Sequence, residues 1–120
     1  MKEIIVIVRM NRIQKTKRAL VEIGCPSMTV NKVLGRGKQR GLRLLRPEID
    51  PEDVRWEETK MKYIPKRMIS IIEEDNMVDR VVRMIMEVNR TGEIGDGKIF
   101  ICPIDDAIRI RTGERGEEAI

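Results

Sequence analysis

This chain contains no histidine. The absence removes Ser-His and Cys-His nucleophilic pairs, which need an imidazole as base. Cysteine is scarce as well: Cys25 and Cys102 are the only two and lie far apart, so a zinc site of the usual Cys/His type is excluded. Both thiols read as small buried hydrophobes in a reducing compartment. Aromatics are nearly missing, with only Trp56, Tyr63 and Phe100. Single-strand and RNA binders stack bases on aromatic rings. The net charge of +4, from 24 Lys and Arg against 20 Asp and Glu, therefore reads as a solvated surface of mixed sign, with no nucleic acid as partner. Long apolar runs are absent too. Residues 4–8 (IIVIV) are too few for a signal peptide or a membrane span, so the expectation is a cytoplasmic protein with no membrane insertion.

What remains is a chain of 120 residues, enough for one domain (1–120) with a modest core of Ile, Val, Leu and Met. Residues 2–9 (KEIIVIVR) are apolar and β-branched and should form a central strand. Asn11 can cap a helix over 12–23, in which Ile13, Thr16, Leu20 and Ile23 share a face, and Gly24 and Pro26 end it. Residues 28–34 alternate in polarity like a half-buried second strand. A third strand is expected over 67–73. Asp75 then caps a helix with a stripe of Val78, Val81, Val82, Ile85 and Val88. Residues 98–102 give a fourth strand and 107–111 a short fifth.

The order is β-α-β, loop, β-α-β. The simplest fold is α+β, a ferredoxin-like split βαβ sandwich of four antiparallel strands backed by two helices. One face of such a sheet has no helix cover. Ile and Val alternate onto both faces of the first strand, so the open face is either buried by oligomerisation or polar and solvated.

Residues 91–114 (TGEIGDGKIFICPIDDAIRIRTGE) are the most informative stretch. Gly95 and Gly97 allow a tight bend and close approach to a ligand, and Lys98 supplies a cation at its exit. If 107–111 is a strand, Arg109 and Arg111 lie on one face, where two guanidinium forks suit phosphate oxygens. The group looks built for a polyphosphate.

The segment from Gly35 to Pro65 is far longer than a hairpin loop. It opens glycine-rich and basic (GRGKQRG) and continues with mixed charge around Leu44, Leu45 and Trp56, apolar side chains of the kind kept for a partner. Such loops are functional, disordered or both. A short helix over 51–60, capped by Asp50, is compatible with the sequence.

Residues 2–9, 28–41 (MTVNKVLGRGKQRG), 64–71 (IPKRMISI) and 91–114 together resemble PII signal-transduction proteins over nearly the whole chain. The resemblance implies a homotrimer of ferredoxin-like subunits with ATP or ADP in each inter-subunit cleft. It also implies 2-oxoglutarate bound beside ATP through Mg2+, and a long target-docking T-loop at about 36–65.

Matched by position, Gly95, Gly97 and Lys98 fall in the family's phosphate-cradling loop, here about 91–98, and Arg109 and Arg111 on its pair of phosphate arginines. Gly35, Gly37, Lys38 and Gln39 match the segment that closes over the phosphates, and Thr29 a position near the adenine. Gln39 looks like the residue that helps hold Mg2+ and 2-oxoglutarate, and Lys66 like the lysine that pairs with a 2-oxoglutarate carboxylate.

The chain also departs from the family pattern. Ser70 stands where many members have Glu, which removes a candidate carboxylate near the base. Lys38 and Arg40 invert the common Arg-Gln-Lys order, and Tyr63 lies too near the end of the loop to replace the tyrosine that other members modify.

The unusual loop and the opening residues resemble the nitrogenase-associated PII-like branch, the second member of its pair. That implies a non-enzymatic regulator that binds nitrogenase component proteins through Leu44, Leu45 and Trp56, alone or with a sister protein, and inhibits nitrogenase until 2-oxoglutarate and ATP relieve it. The alternative is a general PII regulator of an ammonium transporter or a nitrogen-assimilation enzyme.

Overall fold

The structure is a computed structural model and describes residues 1–37 and 63–120. Strand β1 (Lys2–Arg9) leads through a 3-10 turn (Met10–Arg12) into helix α1 (Ile13–Glu22). Strand β2 (Thr29–Gly35) follows, then strand β3 (Ile64–Glu73), helix α2 (Asp75–Asn89), strand β4 (Lys98–Pro103) and a terminal 3-10 turn (Gly116–Ala119). The sheet runs β2-β3-β1-β4 and every neighbouring pair is antiparallel. This is the expected ferredoxin-like α+β arrangement, with the most apolar strands in the middle.

One face of the sheet carries the core. Ile4, Val6 and Val8 of β1 and Ile69 and Ile71 of β3 are buried, packed with Leu20 of α1 and Val78, Val81 and Ile85 of α2. Each such side chain stabilises the fold by about 1.5–3 kcal/mol. The helices also share a buried polar contact: Asn89 Nδ2 donates to Thr16 Oγ1 at 3.0 Å and to the Ile85 carbonyl at 2.9 Å. Helix α1 ends with Gly24 N–H donating to the Val21 carbonyl and Cys25 N–H to that of Leu20, the paired bonds of a Schellman cap.

The strand register puts the alternate residues on the other face. Ile5 lies between Ser70 and Phe100, and Ile7 between Met68 and Lys98. Phe100 is 47% exposed there.

Four local expectations need correction. Residues 107–111 do not form a strand; an isolated bridge joins Ile108 to Arg115, and among the described residues no strand lies alongside to pair with them. Strand β3 begins at Ile64 rather than 67 and includes Pro65. Pro65 lies one residue beyond the last β1 pair (Arg9 with Lys66), at a sheet end where a missing N–H is tolerated. Asn11 does not cap α1, since it sits inside the 3-10 turn and Arg12 takes the cap position. Asp75 is the first residue of α2 rather than its cap, and its carboxylate meets the Met1 amino group at 2.6 Å and Lys2 Nζ at 3.7 Å. The expected helix over 51–60 lies outside the described residues.

Candidate functional site

The loop between α2 and β4 is organised around one carboxylate. Asp96 Oδ2 accepts from the backbone N–H of Thr91 at 2.8 Å and of Gly92 at 2.9 Å, and its Oδ1 accepts from the Thr91 hydroxyl. Arg9, the last residue of β1, adds an ion pair from Nη1 to Oδ1 at 2.7 Å and a bond from Nη2 to the Ile94 carbonyl at 2.9 Å. These bonds, those of Thr91 first, hold the Asp96 carboxyl well below the usual carboxylate range. The loop is thus preformed in the free chain.

Two further contacts press it onto the sheet. Gly97 has φ +110°, and a Cβ there would lie 1.8 Å from the Ile7 carbonyl oxygen, so only glycine fits. Lys66, the cross-strand partner of Arg9, is 8% exposed and donates from Nζ to the Gly95 carbonyl at 2.9 Å. Burial lowers the Lys66 pKa from its ordinary value, with the charge of Arg9 acting in the same direction.

Beside this loop lies an open cleft of about 510 Å³. Gly35 and Gly37 line it from one side, Gly95, Gly97 and Lys98 from the other, and Lys66 lies between. Six of the residues singled out in the sequence therefore meet in one place, and Arg36 adds a further cation. A cleft lined by glycines and three cations suits a multiply charged anion.

The other candidates are placed differently. Thr29 opens β2 and is exposed, opposite Ser70 in the register. Ser70 donates to Glu3 Oε2 at 2.7 Å, so β1 supplies a carboxylate close to the position where the sequence had lost one. Arg109 and Arg111 do not line the cleft. Without a strand the shared-face argument for them fails within one chain. Arg109 instead donates to Glu114 Oε2 at 2.9 Å and to the Glu118 carbonyl at 3.2 Å, while Arg111 is exposed in the turn.

Lys38, Gln39, Leu44, Leu45 and Trp56 lie outside the described residues. Among the described residues no cluster of three or more His, Cys, Asp or Glu could hold a metal, and no helix is long and apolar enough to cross a membrane. Sequence reasoning missed Arg9, Asp96 and Thr91. A Thr five residues before an Asp in a glycine-rich turn is the signal that could have found two of them; nothing local marks Arg9.

Comparison with known proteins adds to this geometry. The family model described as nitrogen regulatory protein P-II matches residues 1–114. The nitrogen fixation nifHD region GlnB-like protein 2 of Methanobacterium ivanovii is 54% identical, with 100% of this chain and 99% of that protein covered. The protein of the same description from Methanothermobacter marburgensis is 53% identical, with 100% of both chains covered. Among solved structures, Arabidopsis thaliana PII bound to citrate superposes with a TM-score of 0.76 at 38% identity, over 99% of this chain and 91% of that one.

Proposed function

This chain belongs to the nitrogen regulatory protein P-II family, in its nif-region GlnB-like branch, and on that premise we propose that it senses ATP or ADP together with 2-oxoglutarate and restrains nitrogenase by direct binding. The observation that carries the ligand half of this reading is the cleft in which Gly35, Gly37, Lys66, Gly95, Gly97 and Lys98 converge. A preformed loop costs little ordering entropy on binding, which favours a polyphosphate there.

Arg109 and Arg111 do not line this cleft, so in this reading they reach the nucleotide from another copy of the chain. The reading therefore includes a trimer, with the half-apolar sheet face of Ile5, Ile7, Met68 and Phe100 turned to its neighbours. Each cleft would then take Lys66 and Lys98 from one subunit and the arginine pair from the next, with Thr29 toward the adenine.

The described part of the cleft holds cations and, among the described residues, there is no carboxylate cluster for a metal, so Mg2+ would have to arrive with the nucleotide. By the family resemblance Gln39 would help hold it, and the ion would neutralise phosphate charge beside 2-oxoglutarate. Lys66 is the cation for a 2-oxoglutarate carboxylate. Arabidopsis PII bound to citrate supports a site in this fold that accepts a small polycarboxylate.

Output runs through the segment between β2 and β3, where Leu44, Leu45 and Trp56 offer apolar anchors on a charged stretch. Gly35, Gly37 and Lys66, near its two ends, line the ligand cleft, so an occupied cleft selects among loop shapes and thereby among targets. The role is regulatory rather than enzymatic, played in the cytoplasm, with nitrogenase component proteins as targets and a sister protein of the same family as companion.

Calorimetry tests the ligand reading. ATP should bind, and 2-oxoglutarate should bind appreciably only with Mg-ATP present, each tightening the other by the same factor. Equal 2-oxoglutarate binding with and without nucleotide would refute it.

A further inference from the structure

The pairing of Arg9 with Asp96 has no part in the roles assigned above. Asp96 lies between Gly95 and Gly97, both of which line the cleft. An uncompensated carboxylate at that point would repel the phosphates that the loop is meant to hold. Its Oδ2 accepts from two backbone N–H groups and its Oδ1 from the Thr91 hydroxyl, but none of these donors carries charge. Arg9 forms an ion pair with the carboxylate at 2.7 Å, with the two side chains only 21% and 23% exposed, and the Lys66 charge also acts on it. The second arm of the same guanidinium holds the Ile94 carbonyl, one residue before Gly95.

We propose that Arg9 is a positioning residue for the phosphate loop, which fixes the backbone of residues 94–96 and cancels the Asp96 charge that would oppose an anionic ligand. This inference rests on the nucleotide reading of the cleft. Lys66 supports the arrangement from the neighbouring strand. It is the register partner of Arg9 and holds the Gly95 carbonyl, so two adjacent cations of the sheet grip consecutive parts of the loop. Their closeness also accounts for part of the downward pressure on the Lys66 pKa.

The electrostatic part makes the two partners unequal. Removing the cation leaves the Asp96 charge in the loop without its ion-pair partner. Removing the carboxylate charge as Asn leaves an acceptor for the backbone N–H groups and an extra cation beside the phosphates. A purely structural pair would behave the same from either side.

The test is ATP calorimetry on the full-length protein carrying Arg9→Gln, Arg9→Lys, Asp96→Asn and the double change Arg9→Gln/Asp96→Asn. Amide hydrogen exchange at Thr91 and Gly92 gives a readout independent of ligand. Arg9→Gln should weaken ATP by about tenfold, Asp96→Asn by less than about threefold, and the double variant should recover most of the Arg9→Gln loss. Arg9→Lys, which keeps the charge but not the fork, should fall between wild type and Arg9→Gln.

A double variant no better than Arg9→Gln, or an Arg9→Gln affinity within twofold of wild type, overturns the proposal. Should Arg9→Gln fail to fold, Asp96→Asn decides, because a tenfold loss there contradicts charge cancellation. Wild-type protein that binds no ATP sinks the nucleotide reading instead. In that case unchanged exchange at Thr91 and Gly92 in Arg9→Lys would also remove the positioning role.

Discussion

A side-chain carbon at Gly97 would stand 1.8 Å from the carbonyl oxygen of Ile7, so the candidate phosphate loop lies directly against the central strand. Gly97→Ala combines that backbone clash with a positive φ. It should lower stability by about 3 kcal/mol or more and abolish ATP binding. Gly92→Ala is the control: its φ is also positive, but nothing lies within 4 Å, so it should cost only about 1 kcal/mol. Urea unfolding of the two variants checks the contrast. Equal losses would mean that close approach to Ile7 is not the constraint.

The open sheet face should be an assembly surface. Phe100→Asp places a charge beside Ile5 on that face without touching the core, so the subunit should fold but no longer assemble. Light scattering should give the mass of three chains for the wild type and of one for the variant.

The two arginines of the C-terminal segment should separate. Arg111 is exposed in a turn, so Arg111→Ala should cost about 1.5–3 kcal/mol of ATP binding and almost no stability. Arg109 holds Glu114 and the Glu118 carbonyl, and Arg109→Ala should lose similar binding plus up to about 1 kcal/mol of stability. Undiminished ATP affinity in Arg111→Ala would remove it from the site.

Acid should loosen the candidate phosphate loop through Asp96. Its carboxyl is held below the ordinary range in the folded chain, chiefly by Thr91. The stabilisation is therefore complete above about pH 4, the unfolded value, and is lost as pH falls through the depressed folded one. Denaturant midpoints taken from neutral pH downward should fall less steeply in Asp96→Asn than in wild type. Parallel slopes would show that Asp96 is not the group responsible.

The order of strands and helices was legible because each element carries its own period. Residues 2–9 form so clear an apolar, β-branched run between charged ends that the expected bounds and those of β1 coincide, and the stripe of Val78, Val81 and Ile85 marks α2. Pro65 hid the start of β3, since a proline is tolerated there only because β1 has already ended, a fact of register rather than of local sequence. Residues 107–111 show the reverse: alternation suits a strand but a strand needs a partner, and among the described residues Ile108 finds only the isolated bridge to Arg115.

In the candidate site, Gly95, Gly97 and Lys98 could be read directly, because glycine spacing and a flanking cation describe a local loop. Arg9 could not. Its role depends on β1 ending beside residues 94–96, far away in sequence.

Control of nitrogenase by ligand is measured most directly by capture of nitrogenase component proteins by this protein with its sister, with and without 2-oxoglutarate and Mg-ATP, alongside a variant lacking residues 44–60. The wild type should capture a component in the absence of effectors and release it when both are added, and the deletion should capture none. Retention by the deletion variant, or capture indifferent to the two ligands, would contradict the account.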